Sequence, residues 1–262
     1  MKNNITLLSI DTDPCSQELT RFALKKTLEC IDARQIICFG HSPFGLGETF
    51  IKINRFKSIM EYSEFLLKCM WPYLPDDGHS MIIHWDGFAA NKALWSDEFL
   101  QVDYIGAPWA WANDANCVGN GGFCLRSNAL IKACSDVMVR RHPEVLFGHA
   151  EDIVICRLYR EYFEKKGFRF ADKELAGRFS FETGERTGDT FGFHAPENIP
   201  YYLAEAELLG ISDHLFNKVK DDSILGRMLT ASTQRGFADF SSMIAENIVR
   251  IREAAPLQTG AA

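Results

Sequence analysis

The chain has 262 residues, of which 47% are hydrophobic and 24% are charged, a composition typical of a soluble protein with one large domain or a domain plus an appendage. Its formal net charge of −7 and the lack of Lys/Arg runs disfavour a nucleic-acid partner. No apolar run approaches the ~20 residues that span a bilayer, and the eight cysteines contain no C-x-x-C pair of the kind found in zinc ribbons. We therefore expect a cytoplasmic protein without a transmembrane segment, which could also act at the inner face of the membrane.

The first third of the chain alternates strand and helix patterns. Short apolar runs predict buried strands, and apolar residues at helical spacing predict amphipathic helices between them. This order predicts an α/β fold with a mixed, mostly parallel sheet flanked by helices. The predicted strands cover residues 5–11, 35–40, 49–56 and 80–88, and the predicted helices cover 14–31 and 58–74.

The rest of the chain is less regular until its helical C-terminal part. We predict a strand running into a Pro/Trp loop, a second strand, two helices and an extended segment, at residues 99–111, 121–127, 128–140, 151–167 and 168–182. Residues 201–253 then carry an almost continuous helical pattern. We therefore predict a domain that holds the site over residues 1–200 and a helical extension over 201–262, which packs either on the core or on a second copy of the chain in a homo-oligomer.

Polar residues follow two of the predicted strands, where open α/β sheets bind their ligands. Asp11 and Thr12 follow the first strand, and the sequence HWDG (84–87) ends the fourth. A carboxylate such as Asp86 at that edge suits Mg²⁺ or Mn²⁺, which often bridge a protein to phosphates. The alternative is that Asp86 only caps a turn.

Two further groups could carry chemistry later in the chain. Glu151 and Asp152 open a predicted helix, where the helix dipole alone favours acids. Because adjacent side chains point in different directions, one acid could cap the helix while the other faces a cleft as a general base. His194 lies between an apolar run and a Pro-containing turn, and it is either a structural histidine or a ligand paired with a distant carboxylate.

The loop APWAWAND and the glycine-rich stretch ANCVGNGGF are candidate walls of a binding site. Trp109 and Trp111 are large rings that are costly to expose unless they are buried or cover a ligand such as a sugar. The alternative is that they fill a hydrophobic gap under the loop. The glycines over 115–123 form either a tight turn or a surface that a ligand can approach closely.

Taken in chain order, the stretches HWDGF, FLQVDYIGAPW, VGNGGFCLRS, AEDIVIC and FGFH resemble the signature of an uncharacterised, mostly bacterial domain family that is placed among GT-A-type glycosyltransferases. The resemblance covers roughly residues 5–200. The layout is more distantly similar to inverting β-1,3-glycosyltransferases of the Fringe kind. The resemblance implies a GT-A-like, Rossmann-like fold and a glycosyltransferase that uses a nucleotide sugar, most simply with inversion.

The resemblance also implies a role for each matching residue. Asp86 and His194 would hold a divalent ion on the diphosphate. Asp152 would deprotonate the acceptor hydroxyl, and Glu151 would orient it or bind the acceptor. The residues that would bind the donor are Asp11, Thr12, Asp86, Gly121 and Gly122. The residues that would contact the acceptor are Phe123, by the resemblance, and Trp109 and Trp111, by their capacity to stack on sugar rings.

The chain departs from the family's usual motif, which has two or three acids where this sequence has His84, Trp85 and Asp86. With one carboxylate, the ion could be held weakly, could take His84 as a further ligand, or could be absent from the reaction. Because Mn²⁺ tolerates imidazole better than Mg²⁺ does, we expect Mn²⁺. The implied partners are a UDP-sugar donor and a glycan or lipid-linked acceptor in bacterial surface polysaccharide assembly.

Two other functions stay open. A catalytically degenerate glycan-binding module is favoured by the missing acids of the HWDG motif. A metal-dependent nucleotidyltransferase or phosphodiesterase would need more clustered acids than this sequence offers.

Overall fold

The computed structural model describes residues 4–139 and 150–254. The chain divides into two compact units, Met1–His194 and Ala195–Ala262. Among the described residues, no helix is both long enough and apolar enough to cross a membrane.

The first unit is built on strands whose bounds are β1 (Ile5–Asp11), β2 (Gln35–Gly40), β3 (Thr49–Lys52), β4 (His79–Ile83), β5 (Gly87–Ala89), β6 (Tyr104–Ile105), β7 (Phe123–Ser127), β8 (Ser180–Phe181) and β9 (Gly192–His194). In the described part of the chain, six of them form one sheet in the order β3-β2-β1-β4-β7-β6. Strands β3, β2, β1 and β4 run parallel, whereas β7 is antiparallel to β4 and to β6. The predicted mixed, mostly parallel α/β sheet is therefore confirmed.

The pairing of the central strands fixes where a site can form. Because β1 and β4 are parallel neighbours, Asp11 and the residues after Ile83 lie at the same edge of the sheet. The antiparallel strand β7 begins at this edge, since Phe123 pairs with Ile83. The glycine-rich stretch before Phe123 is thereby brought beside the HWDG segment.

A smaller sheet with the order β5-β9-β8 corrects the prediction of one strand over residues 80–88. The run is two strands, β4 and β5, in different sheets. His84 and Gly87 exchange backbone hydrogen bonds of 2.9 and 3.2 Å across a tight turn. The polar HWD triplet interrupts the apolar run at this point, so the chain leaves the first sheet and enters the second.

The helices of the first unit are α1 (Gln17–Cys30), α2 (Ile59–Glu64), α3 (Asn128–Cys134), α4 (Glu151–Ile153), α5 (Arg160–Lys165) and α6 (Lys173–Phe179). Ser58 caps α2 by accepting a hydrogen bond from the Glu61 amide at 3.2 Å, and the Glu61 carboxylate accepts one from the Lys57 amide at 2.7 Å. Helix α2 continues as a π-helical turn over Phe65–Cys69, and α4 continues in the same way over Val154–Leu158.

Helix α6 was not predicted, because residues 168–182 were expected to be extended. The Asp172 carboxylate caps this helix by accepting a hydrogen bond from the Leu175 amide at 2.8 Å. The apolar spacing of the segment suits either state, and the capping aspartate is the signal that could have identified the helix. Two other predicted strands are shorter than expected: β3 ends at Lys52, and β6 covers only Tyr104–Ile105.

Aromatic side chains fill the space between the two sheets. Phe123 of β7 stacks on Phe179 of α6 with ring centroids 4.9 Å apart, and Phe88 meets Phe193 across the small sheet at 4.7 Å. All four rings are buried. Aromatic pairs of this kind contribute about 0.5–1.5 kcal/mol each beyond their buried area, so they fix the small sheet, and with it His194, beside β7.

The second unit is helical, as the sequence predicts for the C-terminal part. Its helices are α7 (Ile199–Tyr202), α8 (Glu205–Lys218), α9 (Asp222–Gln234) and α10 (Ala238–Ala254). Asp221 caps α9 by accepting hydrogen bonds from two backbone amides. The apolar faces of the three longer helices meet in a small core of Leu208, Leu215, Leu225, Met228, Phe240 and Ile244. Homo-oligomerisation through these helices stays a prediction.

Candidate active site

Three residues from distant parts of the sequence form a cluster that could hold a metal ion. His84 and Asp86 lie in the turn between β4 and β5, and His194 ends β9. Strand β5 pairs with β9 so that Gly87 lies opposite His194. One donor atom from each of the three side chains lies within 4.8 Å of the other two. The pairing of two short strands thus places two imidazoles and one carboxylate around one point.

Glu182 orients His194 within this cluster. The His194 Nδ1 donates to Glu182 Oε1 at 2.9 Å, and the Asn120 amide nitrogen lies 3.0 Å from the same ring nitrogen. This leaves Nε2 directed to Asp86, whose Oδ1 is 3.7 Å away. A carboxylate on the far nitrogen of a histidine is the usual support of a metal ligand, because it fixes the tautomer and the ring orientation. Glu182 and Asn120 were not found by sequence reasoning, and no local pattern marks Glu182.

The two histidines have opposite electrostatic environments. Burial lowers the pKa of His194, but the nearby carboxylates of Asp86 and Glu182 outweigh it and raise this pKa to about 9. Burial, assisted by the charge of His194, lowers the pKa of His84 to about 4. His84 is therefore a neutral ligand at neutral pH, with the Tyr62 hydroxyl hydrogen-bonded to its Nε2. His194 would exchange its Nε2 proton for a cation.

The donor set fits a divalent transition ion. Mg²⁺ prefers oxygen ligands, whereas two imidazole nitrogens with one carboxylate suit divalent transition ions. The carboxylate of Glu182 is a second feature typical of metal sites, because its hydrogen bond keeps the ligand nitrogen of His194 in place. The cluster thus supports a divalent ion, and the choice of Mn²⁺ over Mg²⁺ stays a prediction.

The adjacent acids Glu151 and Asp152 have different surroundings. Glu151 Oε1 accepts a hydrogen bond from the Arg126 guanidinium at 2.7 Å, and both side chains are almost fully buried. Asp152 accepts only from the Ile153 amide, at 2.8 Å, among the described hydrogen bonds. Burial, and after it the charge of Glu151, raise the pKa of Asp152 to about 7. Asp152 therefore has the proton affinity of a general base that works near neutral pH, while Glu151 is held in a buried ion pair.

The glycine-rich stretch lies against protein side chains rather than against open space. A Cβ on Gly121 would lie 2.2 Å from Glu151 Oε1, and a Cβ on Gly122 would lie 2.0 Å from His194 Nε2. Asn120 has a positive φ of 67°, and its side-chain oxygen accepts hydrogen bonds from the amides of Gly122 and Phe123. The two glycines thus let the Glu151 carboxylate and the His194 ring pack directly on the backbone.

The three residues predicted to contact the acceptor are placed differently from one another. Phe123 is fully buried, and Trp109 is 5% exposed. Trp109 packs on Gly119, where a Cβ would lie 1.8 Å from its ring. Trp111 is 58% exposed and stacks on Trp109 with ring centroids 5.1 Å apart. The Arg157 guanidinium lies 5.2 Å from the centre of the Trp111 ring.

Asp11 and Thr12 organise the loop between β1 and α1. The Asp11 carboxylate accepts hydrogen bonds from the Asp13 amide at 3.0 Å and the Ser16 hydroxyl at 2.8 Å, and also from Thr20. The Thr12 hydroxyl accepts from the Phe56 amide at 3.2 Å. Both residues lie at the predicted edge of the sheet, and both have structural partners there.

Solved structures that resemble this fold include several glycosyltransferases. The galactosyltransferase LgtC in complex with donor and acceptor sugar analogues is 12% identical over 85% of this chain and 99% of that chain, with a TM-score of 0.40. A glycosyltransferase involved in glycosylation of the major capsid of PBCV-1 is 13% identical over 80% of this chain and 98% of that chain, with a TM-score of 0.47. The glycosyltransferase GlyE of Streptococcus pneumoniae is 9% identical over 95% of this chain and 64% of that chain, with a TM-score of 0.47. Similarities this weak carry no conclusion about activity.

The sequence itself gives a firmer assignment. None of the curated protein sequences matches the chain. One family model, described as "Protein of unknown function (DUF5672)", matches residues 47–194. This match covers more than half of the chain and includes the HWDG turn, the glycine-rich stretch, the two adjacent acids and His194. The chain therefore belongs to the DUF5672 family.

Proposed function

We propose that this protein is a glycosyltransferase that moves a sugar from a nucleotide-diphosphate sugar to a hydroxyl of a glycan or lipid-linked acceptor. The observation that carries the proposal is the combination of a His84–Asp86–His194 cluster with Asp152, a carboxylate whose pKa is raised to about 7. The sequence resemblance to GT-A-type enzymes favours the same reaction. A divalent ion bound in the cluster would supply positive charge beside a leaving diphosphate.

Asp152 is the proposed general base. Glycosyl transfer requires that the acceptor hydroxyl lose its proton as the new bond forms, and a base with a pKa near the working pH does this best. The charge of Glu151, which pairs with Arg126, lies beside Asp152 and contributes to the raised pKa of Asp152. Glu151 therefore acts on the base through its charge and position.

We further propose that transfer inverts the anomeric configuration. Retention through a covalent intermediate would need a free carboxylate as nucleophile beside the base. The other carboxylates described around the cluster are engaged, because Asp86 and Glu182 flank His194 and Glu151 pairs with Arg126. One free base favours a direct displacement.

The test combines binding with product analysis on the full chain. Calorimetry with UDP and a panel of UDP-sugars, with and without Mn²⁺, would compare the wild type with Asp86→Ala and with Asp32→Ala, a matched change at an exposed acid. We expect one nucleotide to bind with Mn²⁺, to lose affinity in Asp86→Ala and to keep it in Asp32→Ala. Nucleotide binding that depends neither on Mn²⁺ nor on Asp86 would contradict a metal-binding role for the cluster.

The products separate this proposal from its alternatives. Glycosyl transfer releases UDP and a glycoside of inverted configuration, whereas a phosphodiesterase would release UMP and a sugar phosphate. A glycan-binding module would bind glycans and turn over none of the donors. Retained configuration in the product would contradict the inverting mechanism alone. We also propose, from the sequence resemblance, that the reaction belongs to surface polysaccharide assembly and takes place in the cytoplasm or at the inner face of the membrane.

A further inference from the structure

A cavity of about 630 Å³ lies beside the metal-binding cluster and has no role in the reaction described so far. It is bounded by the turn at Pro108, Trp109 and Ala110, by helix α6, and by the segment from Ser180 to Thr190. Its volume is within the range of about 300–1,000 Å³ that ligand sites occupy. Glu182 lines the cavity and also binds His194. The cavity therefore shares one wall with the cluster.

The charge of the cavity wall disfavours an anionic ligand. Its ionisable lining residues are Lys173, Glu174, Arg178, Glu182, Glu185 and Asp189. These four acids and two bases give a formal charge of −2. Three of these residues have ionic partners outside the lining: Arg178 pairs with Glu98, Asp189 with Arg186 and Glu182 with His194. The lining therefore offers a diphosphate no surplus of positive charge, whereas the hydroxyl groups of a sugar can donate hydrogen bonds to the carboxylates.

The wall also combines an aromatic residue with small polar ones. Trp109 lines the cavity together with the exposed residues Thr183 and Thr187. Trp109 is 5% exposed and stacks on Trp111, so it contributes only a small apolar area to the wall. The threonine hydroxyls offer both hydrogen-bond donors and acceptors to a sugar. This combination suits a polyhydroxylated ligand better than a purely apolar one.

Two of the residues that line the cavity are glycines with open space at their Cβ positions. Gly177 of α6 and Gly188 both line it, and a Cβ at either position would meet no protein atom within 4 Å. Glycine within a helix is about 1 kcal/mol less favourable than alanine. Neither a close neighbour nor a positive φ requires glycine at Gly177. A larger side chain at Gly177 would therefore extend into open space at the wall of the cavity.

We propose that this cavity is the acceptor subsite and that its acceptor is a sugar without negative charge. The proposal rests on the proposed glycosyltransferase function and names the acceptor's place and chemistry. Glu182 then has two contacts, one with His194 and one with the acceptor, so the acceptor is bound next to the cluster. Of the three residues that the sequence predicts as acceptor contacts, Trp109 lines this cavity, whereas Trp111 and Phe123 do not.

The test fills the cavity without touching the cluster. Gly177→Trp and Gly188→Trp would each place a large ring where the structure has open space. Gly210→Trp is the matched control, because a Cβ at Gly210 in α8 also meets no atom within 4 Å but lies outside the cavity. Methyl glucoside, methyl galactoside and methyl glucuronide would serve as probes in ligand-observed NMR, and UDP with Mn²⁺ would be titrated in parallel by calorimetry.

We expect a neutral glycoside to bind to the wild type and to Gly210→Trp, and its affinity to fall about tenfold or more in either cavity variant. The affinity for UDP with Mn²⁺ should stay within about twofold in all three variants. The inference is overturned if no neutral glycoside binds, if both cavity variants bind it as well as the wild type, or if methyl glucuronide binds more tightly than methyl glucoside.

Donor turnover distinguishes a failure of this inference from a failure of the proposed function. If a UDP-sugar is turned over and both cavity variants transfer it to neutral acceptors at the wild-type rate, only the acceptor subsite is wrong. If glycoside binding depends on the cavity but no sugar nucleotide is bound or turned over, the proposed function fails. The acceptor role of the cavity then fails with it, and the cavity becomes a glycan-binding site.

Discussion

Asp152→Asn should make the protein more stable at alkaline pH while it abolishes transfer. The substitution keeps the shape of the side chain and the acceptor oxygen for the Ile153 amide, which donates to Asp152 Oδ1 at 2.8 Å. It removes a carboxylate that burial and the charge of Glu151 make unfavourable in its ionised form. A base held at a raised pKa lowers stability when it is ionised, and this cost is what the substitution relieves.

The magnitude follows from the shift of the pKa of Asp152 from 3.8 to about 7. The folded carboxyl holds its proton more tightly than the unfolded one, so stability falls as pH rises from about 4 to about 7. Above pH 7, the full shift corresponds to a loss of roughly 4 kcal/mol in the free energy of unfolding. Asp152 also helps to raise the pKa of His194, and that favourable interaction is lost in the variant. We therefore expect a net gain of about 2 kcal/mol at pH 8 and almost none at pH 4.

Urea denaturation of the wild type and Asp152→Asn between pH 4 and 8, in the presence of a chelator, measures this difference. The chelator matters because a bound cation would stabilise the ionised carboxylate. Asp32→Asn, at an exposed acid, shows the effect of removing a carboxylate without burial. A difference between the wild type and Asp152→Asn that is the same at every pH, or a variant less stable than the wild type at pH 8, would refute the reasoning.

Three further substitutions test the supports of the site. Glu151→Gln leaves its buried arginine partner unpaired and should lower the free energy of unfolding by about 3 kcal/mol; urea denaturation measures this, and an unchanged midpoint would contradict the structural role of the pair. Glu182→Gln removes the charged acceptor from His194 Nδ1 and should weaken Mn²⁺ binding about 10–100-fold. A Mn²⁺ titration that gives equal affinities would show that this contact does not support the ligand. Gly122→Ala places a Cβ 2.0 Å from His194 Nε2, so it should lower the Tm and abolish Mn²⁺ binding. Gly188→Ala, where the Cβ meets open space, should change neither the Tm nor Mn²⁺ binding. If the two alanine variants have the same Tm and the same Mn²⁺ affinity, the close packing of His194 on Gly122 is contradicted.

Local patterns were enough to predict the first half of the fold. The apolar runs of β1, β2 and β4 and the helical spacing of α1 are encoded within each segment, and the parallel order of the strands follows from the helices between them. The Ser58 cap of α2 is also encoded locally, because it depends on residues only three positions apart.

The cluster depends on contacts that no local pattern contains. Asp86 and His194 were predicted as ligands through the resemblance, and His84 as a further ligand in place of the missing acids, but their convergence depends on the pairing of β5 with β9. Neither strand has more than three residues, too few for a periodic signal. Glu182 was missed for the same reason, since its role follows only from its position beside the ring of His194.

The central claim is that His84, Asp86 and His194 hold a divalent ion on the diphosphate of the donor. Pulsed electron paramagnetic resonance of Mn²⁺ bound to the full chain with UDP tests it most directly. The account predicts hyperfine couplings from imidazole nitrogen and from phosphorus in the same complex, with the nitrogen coupling diminished in His194→Ala. Bound Mn²⁺ with phosphorus coupling but no nitrogen coupling would place the ion outside the cluster and contradict the account.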